Sequence, residues 1–133
     1  MSVNATERLV TKCLATSYDY LAPDSSQIRL LLEVKRGGLA HCSLPPCAVS
    51  KAVKHKTVDE IWFFLSGVGE VWRSYACQEK TEGVKSGTSI TIPVGTSFQF
   101  RNTGSEPLCF IIATMPRWPG AGEAIEVEGK WKA

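Results

Sequence analysis

The sequence has no long apolar run, no marked excess of one charge and no low-complexity segment, and each absence excludes a class of protein. The longest apolar stretches, residues 61–65 and 108–113, are the length of a strand, whereas a membrane helix needs about 18 apolar residues. The chain carries 15 Lys and Arg against 13 Asp and Glu, a formal charge of only +2. Such a weak charge gives no electrostatic footprint for nucleic acid. We therefore expect neither a membrane nor a nucleic-acid partner.

Export signals and cysteine frameworks are also lacking. Glu7, Arg8 and Lys12 interrupt the apolar residues of the N-terminus, so the uninterrupted core of a signal peptide is missing. The 5 cysteines are an odd number without a Cys-x-x-Cys pair, which argues against a disulfide framework and against a zinc ribbon. We expect reduced thiols and a cytoplasmic protein.

The sequence is instead rich in short apolar segments separated by turn residues. From residue 37 to residue 107, Pro and Gly recur at short intervals, as in a chain of short strands and turns. Only residues 4–16 have a pattern compatible with a helix, with Asn4 or Thr6 as its N-cap. A length of 133 residues fits one domain, which we predict to be an all-β barrel or sandwich with little helix. The predicted strands are 28–35, 39–44, 50–55, 60–65, 70–75, 83–86, 88–92, 97–101 and 108–114.

Residues 66–69 form a four-residue connection between two apolar, aromatic-rich runs, which predicts a hairpin. Pairing across this connection places Trp62 beside Arg73 and Glu60 beside Tyr75. Arg73 and Tyr75 then point to the interior of the domain. A slip of one residue would exchange the two faces.

Two blocks of residues resemble the two motifs of the cupin family. In that family, Gly, His-x-His, Glu and Gly are followed by Gly-x5-Pro-x-Gly, His and Asn. The resemblance extends over nearly the whole chain from about residue 28 and implies a double-stranded β-helix, also called a jelly-roll barrel. The shared residues are His55, Glu60 and Gly67 in the first block and Gly87, Pro93, Gly95 and Asn102 in the second.

The resemblance also implies a metal site, which this sequence retains only in part. Two of the family's ligand positions hold His55 and Glu60, whereas the other two hold Val53 and Phe98. A divalent metal held by protein needs three or four N, O or S donors. We therefore favour a barrel without a metal cofactor. The alternative is Fe, Mn, Ni or Zn on His55 and Glu60, completed by water or by another donor such as Cys42 or Cys109.

Alternation along the strands outlines the interior of this barrel. A small polar group and an aromatic wall together suit a small organic ligand. The polar pair His55 and Glu60 supplies the candidate catalytic residues, as an acid and a base, or is a buried pair with no role in chemistry. The candidate ligand-binding residues are His55, Glu60, Trp62, Arg73, Tyr75, Phe98 and Phe100.

Residues 28–114 are predicted to form the barrel, with residues 1–27 as an N-terminal arm and residues 115–133 as a C-terminal arm that packs on the barrel or on a partner subunit. If Glu60 and Trp62 point inward, the apolar residues between and after them point outward and need a cover. We therefore predict either a homodimer, in which a partner subunit covers these residues, or a segment of the same chain that packs over them.

Three functions remain open at this stage. The first is a binding module that holds a small acid, sugar or aromatic molecule in the barrel. The second is an enzyme: a metal-dependent dioxygenase or isomerase, or a metal-free isomerase or lyase, that uses His55 and Glu60. The third is a dimeric structural or regulatory protein with a vestigial pocket.

Overall fold

A computed structural model describes residues 8–133, and this part of the chain contains no helix that could cross a membrane. It forms two antiparallel sheets, as the cupin resemblance implies. The predicted all-β jelly-roll fold is therefore confirmed. The strands are β1 (Tyr20–Leu21), β2 (Gln27–Val34), β3 (Gly37–Leu44), β4 (Val53–His55), β5 (Asp59–Ser66), β6 (Val68–Tyr75), β7 (Gln78–Lys85), β8 (Ser89–Ile92), β9 (Ser97–Asn102), β10 (Leu108–Met115) and β11 (Ala124–Glu126).

The predicted helix at residues 4–16 is wrong for its described part, because residues 8–16 are not helical. Residues 4–7 lie outside the described residues. Ala15 and Thr16 instead present their carbonyl oxygens to the side chain of Arg29, whose Nε donates at 3.0 Å and whose Nη2 donates at 2.9 Å. This contact joins the N-terminal segment to β2.

The core lies between the two sheets. The six-stranded sheet has the order β1-β2-β3-β10-β5-β8, and the five-stranded sheet has the order β11-β4-β9-β6-β7. Phe64 and Phe110 from the first sheet and Val71 and Phe100 from the second are completely buried. Burial of each such side chain contributes about 1.5–3 kcal/mol. The same burial sets which residues of each strand face the interior.

The predicted hairpin across residues 66–69 is wrong. β5 pairs with β10 and β8, whereas β6 pairs with β9 and β7, so the two strands belong to different sheets. Only Gly67 separates them, with a φ of 83°. A Cβ at Gly67 would lie 2.8 Å from the Cα of Leu108, so the chain passes from one sheet to the other through a position without space for a side chain.

β7 is longer than the predicted strand 83–86, because it begins at Gln78. The turn before it consists of Ala76 and Cys77, which both have positive φ, 46° and 68°. Two positive φ values in a two-residue loop are the geometry that matches the twist of paired strands. Neither residue type signals this turn, and the strand itself is mostly polar.

The outer face of the six-stranded sheet carries exposed apolar side chains. Ile61, Phe63 and Leu65 are 45%, 47% and 40% exposed, so the described N-terminal and C-terminal segments leave them uncovered. β10 places Ile111 beside Phe63 in the same sheet. The outward direction of these residues agrees with the alternation in the sequence.

The C-terminal segment instead packs on the five-stranded sheet. β11 pairs with β4, which places Ala124 opposite His55. Farther along, the backbone N–H of Trp131 donates to Oε1 of Gln99, and Nε2 of Gln99 donates to the carbonyl oxygen of Trp131, both at 2.8 Å. The guanidinium of Arg101 lies 4.4 Å from the centre of the Trp131 ring. The segment is thus attached to this sheet at β11 and again at Trp131.

Glu123 is the main polar anchor of the C-terminal segment. Its carboxylate accepts hydrogen bonds from the backbone N–H and the hydroxyl of Thr57, each at 2.7 Å, and from the backbone N–H of Val58 at 3.0 Å. Burial raises the pKa of Glu123, but these hydrogen bonds outweigh burial and hold the pKa below its usual value. The anchor is therefore strongest when Glu123 is ionised.

We expect Glu123→Ala to lower the free energy of unfolding by about 2 kcal/mol at neutral pH, because three charge-assisted hydrogen bonds are lost and the buried backbone N–H of Val58 loses its acceptor. A lowered pKa contributes stability that is present above the usual carboxyl pKa and is lost as the pH falls through the folded-state pKa. The difference from wild type should therefore shrink in acid. Urea unfolding at several pH values measures it, with the exposed Glu126→Ala as the matched control. Equal effects of the two substitutions would contradict this role.

Candidate functional site

Six strands within residues 27–115 and parts of both terminal segments enclose a cavity of about 80 Å³ inside the barrel. The strands contribute Ile28 of β2 and the inward faces of β3, β4, β5, β9 and β10, while residues between Tyr20 and Ser26, together with Trp118 and Ala124, close one side. Of the residues predicted for ligand binding, five line this cavity, and these are His55, Glu60, Trp62, Phe98 and Phe100.

Glu60 is a buried carboxyl held by two neighbouring strands. The indole Nε1 of Trp62 donates to its Oε1 at 3.0 Å, and the hydroxyl of Thr114 donates to its Oε2 at 2.9 Å. Burial raises the pKa of Glu60 to about 7, although both hydrogen bonds oppose this shift. Near neutral pH the group can therefore either hold or release a proton.

His55 lies at the end of β4 against two aromatic rings. Phe98 and Trp118 meet the imidazole edge-on, with ring centres 5.1 and 5.0 Å away. Its Nδ1 lies 3.9 Å from Oε1 of Glu60, too far for a hydrogen bond, and has no other partner in the described part of the chain. Burial lowers the pKa of His55 to about 4, with a smaller opposing effect of Glu123.

The two pKa shifts have opposite directions, and together they keep the pair uncharged over a wide range. Between about pH 4 and 7, His55 is neutral and Glu60 is largely protonated. No ion pair between His55 and Glu60 offsets the cost of burying them, because the two side chains are too far apart to form a hydrogen bond. The site is therefore an uncharged, weakly polar pair inside an aromatic wall over this pH range.

Some cavity residues come from outside the predicted barrel strands and were not expected from the sequence. Tyr20, Asp24 and Ser26 precede β2, and Trp118 follows β10. Asp24 is buried, and its Oδ1 accepts hydrogen bonds from the backbone N–H and the hydroxyl of Ser26. Burial raises the pKa of Asp24 in spite of these bonds. No strand periodicity marks these residues, although a charged residue flanked by Pro23 and Ser25 in a segment between strands is a weak turn signal.

Arg73 and Tyr75 do not line the cavity, so the structure does not bring them together with the other five residues predicted for ligand binding. Arg73 is the register partner of Phe98 and points to the same side of the sheet, but its Nη1 reaches β8 and donates to the carbonyl oxygen of Thr91 at 2.9 Å. Tyr75 is 47% exposed. Both residues belong to a separate groove at the edge of the barrel.

His41 is the other histidine, and it is buried on the opposite side of β3 from the cavity. Ala40 and Cys42, its neighbours in the strand, line the cavity, so alternation directs His41 away from it. Its Nδ1 is also buried without a partner among the described residues. This histidine therefore provides an internal comparison for His55.

The residues present do not fit the metal centre of the cupin pattern. Val53 and Phe98, at two of the four ligand positions, are 3% and 1% exposed and fill that space with hydrocarbon. Both oxygens of Glu60 already accept hydrogen bonds. Cys42 lines the cavity, yet residues 8–133 contain no group of three or more His, Cys, Asp or Glu that could hold a metal ion.

We expect Glu60→Gln to gain stability relative to wild type as the pH rises. A carboxyl whose pKa is raised from 4.5 to about 7 stabilises the fold below pH 4.5, and this contribution is lost as the pH rises through 7. The amide does not titrate, so the difference in the free energy of unfolding should change by about 3 kcal/mol in its favour across this range. The titration of His55 is present in both proteins. Urea unfolding at pH 4.5, 6 and 8 measures the difference, and a difference independent of pH would contradict the assignment.

Solved structures share this fold. The capsular polysaccharide assembling protein CapF from Staphylococcus aureus is 17% identical over 90% of this chain, with a TM-score of 0.69, and the present chain spans only 33% of CapF. KdgF from a Halomonas species is 15% identical, with a TM-score of 0.67, over 83% of this chain and 97% of KdgF. A predicted oxalate decarboxylase from Thermotoga maritima is 25% identical, with a TM-score of 0.59, over 68% of this chain and 80% of that chain.

These likenesses concern the barrel and carry no activity with them. A search of curated protein sequences finds no match. The model of the cupin domain, by contrast, matches residues 40–114, which is more than half of the chain and includes both motif blocks. The chain belongs to the cupin family.

Proposed function

We propose that this protein binds a small organic molecule in the interior of the barrel, at a site that does not use the family's metal centre. The observation that carries this proposal is that His55 lines the cavity and that its buried Nδ1 has no hydrogen-bond partner among residues 8–133. Buried polar atoms in folded proteins nearly always have a partner. A bound molecule that pairs with Nδ1 would satisfy it.

The size of the cavity limits the ligand. A volume of about 80 Å³ corresponds to roughly two or three water molecules in the liquid, so it accommodates only a few non-hydrogen atoms. Outside it lies a second, open groove of about 450 Å³, and Tyr20, Pro23, Trp118 and Ala124 line both spaces. A larger molecule can therefore place one small group inside and the remainder in this groove if Trp118 moves aside.

The charges around the cavity do not favour the small acid that the sequence analysis allowed. Asp24 and Glu60 both line it, and no Lys or Arg is found among its described lining residues. The cation assigned to this role, Arg73, lies in the other groove. An anionic ligand would face two carboxyl groups without a compensating charge.

A fragment screen by ligand-observed NMR tests the proposal, with His55→Phe and His41→Phe as matched variants. Each substitution replaces a buried imidazole that has an unpartnered Nδ1 by a ring of similar size, but only His55 lines the cavity. We expect His55→Phe to lower the affinity of fragments that bind wild type by about tenfold, because roughly one hydrogen bond to a buried group is lost. His41→Phe should leave binding unchanged.

Three results would overturn the proposal. The first is that no fragment binds in the cavity, and the second is that both histidine variants bind the fragments equally well. The third is stoichiometric metal in the purified protein that is lost in both His55→Ala and Glu60→Ala, measured by elemental analysis. Such a result would restore the metal-dependent alternative.

A second candidate function is proton transfer on the bound molecule, and the pKa of Glu60 favours it. A general acid or base works best when its pKa lies near the working pH, and burial raises the pKa of Glu60 to about 7. Glu60 would take a proton from the ligand when ionised and return it when protonated, while neutral His55 holds the ligand by a hydrogen bond. Turnover that is lost in Glu60→Gln although binding persists would distinguish an enzyme from a binding module.

We also propose that a second copy of the chain covers the outer face of the six-stranded sheet. Exposed Ile61, Phe63 and Leu65 form an apolar surface, which two copies can bury against each other across a two-fold axis. We expect light scattering to give the mass of a dimer for wild type and that of a monomer for Phe63→Lys. Tyr75→Lys, at an equally exposed aromatic residue of the other sheet, should remain dimeric. A monomeric wild type would contradict the proposal.

A further inference from the structure

The arrangement of acceptors in the cavity specifies the ligand more closely, if the cavity is a binding site as proposed above. Nδ1 of His55 and Oε1 of Glu60 lie 3.9 Å apart and do not bond to each other. At that separation, one nitrogen atom can lie about 2.9 Å from both of them and donate a separate N–H bond to each. When neutral His55 carries its proton on Nε2, Nδ1 is an acceptor, and two acceptors so placed match a donor with at least two N–H bonds.

The charges of the cavity favour a cation as this donor. Asp24 is a second buried carboxyl in the wall, and its charge is one of the causes that oppose ionisation of Glu60. A positive group beside Glu60 would offset this repulsion and form charge-assisted hydrogen bonds, which are stronger than neutral ones. No Lys or Arg stands among the lining residues that the structure describes, so the protein itself does not supply that charge.

The aromatic wall is compatible with the same ligand. Trp62, Phe98 and Trp118 line the cavity, and aromatic rings attract cations as well as hydrocarbon. Their packing leaves little volume, which suits a short alkyl group attached to the nitrogen. We propose that the cavity binds the primary ammonium group of a small amine, either a free amine or the end of a larger molecule whose remainder lies in the groove beyond Trp118.

Three probes of nearly equal size separate charge from shape. Ethylammonium, ethanol and acetate each have a short carbon chain and a polar end, but their charges are positive, zero and negative. Tetramethylammonium adds a cation without N–H bonds. Each probe can be titrated into the ¹⁵N-labelled protein at constant ionic strength and neutral pH.

The two indole N–H groups provide a reporter and its control in the same spectrum. Trp62 donates to Glu60 in the cavity, and Trp72 donates to Glu79 at 2.6 Å on the other side of the barrel wall. We expect ethylammonium to shift the Trp62 signal in a saturable way and to leave the Trp72 signal in place. Its affinity should exceed those of ethanol, acetate and tetramethylammonium by about tenfold or more.

Matched variants test the residues that hold the amine. Glu60→Gln should weaken the binding of ethylammonium by about tenfold, because a bound cation favours the ionised form of Glu60 and an amide of the same shape cannot ionise. Glu79→Gln, which alters the other carboxyl that accepts an indole hydrogen bond, should have no effect. Asp24→Asn should weaken the binding of ethylammonium and leave the binding of ethanol unchanged. This variant provides an independent result if Glu60→Gln does not fold.

The outcomes distinguish this inference from the proposed function. Saturable binding of ethanol or acetate with an affinity equal to that of ethylammonium would overturn the choice of an amine while the cavity remained a binding site. Equal binding of tetramethylammonium would overturn the role of the two N–H bonds. If none of the four probes moves the Trp62 signal, both the amine and the small-molecule site are wrong.

Discussion

The burial of Glu60 is the constraint on which the rest of the site depends. A carboxyl among aromatic rings is tolerated because Trp62 from the same strand and Thr114 from the neighbouring strand donate to its two oxygens. These contacts fix the register of β5 and β10 on the interior side, where Glu60 and Thr114 are direct partners. Removing water from the carboxyl also brings its pKa close to neutrality. One buried group thus couples the packing of the six-stranded sheet to the chemistry of the cavity.

The ligand positions of the family show how a barrel can lose a metal centre and retain a polar site. Val53 and Phe98 are register partners in β4 and β9, so hydrocarbon side chains occupy two adjacent ligand positions of the family. His55 and Glu60 remain, with Nδ1 and Oε1 3.9 Å apart. What is left is a pair of separate hydrogen-bonding groups that a small molecule can join.

The features predicted correctly are those that depend on local periodicity. Alternation within a strand places Trp62, Phe98 and Phe100 on the interior, because each strand repeats every two residues whatever its partners are. Strand pairing is not local in this sense. The segment around Gly67 is equally compatible with a hairpin and with a passage between sheets, and only the close contact with Leu108 decides between them.

The cavity residues of irregular segments could not be predicted from the sequence either, because their positions also depend on nonlocal contacts. Asp24 and Trp118 reach the cavity from segments without strand periodicity, and their positions depend on contacts made far away in sequence. Trp118 is followed along the chain by two such contacts, the anchoring of Glu123 to Thr57 and the pairing of β11 with β4. A polar edge strand such as the first half of β7 lacks the apolar alternation that marks the other strands.

The closure of the cavity by segments outside the barrel has a consequence for how such a protein diversifies. Asp24 and Trp118 lie outside residues 40–114, the part that matches the cupin domain. Substitutions there alter the charge and the size of the cavity without touching an interior strand position or a sheet register. Substitutions at these two positions can therefore change what the cavity accommodates while the strand positions of the barrel stay the same. In this chain, part of the cavity wall and the matched cupin domain are carried by different stretches of sequence.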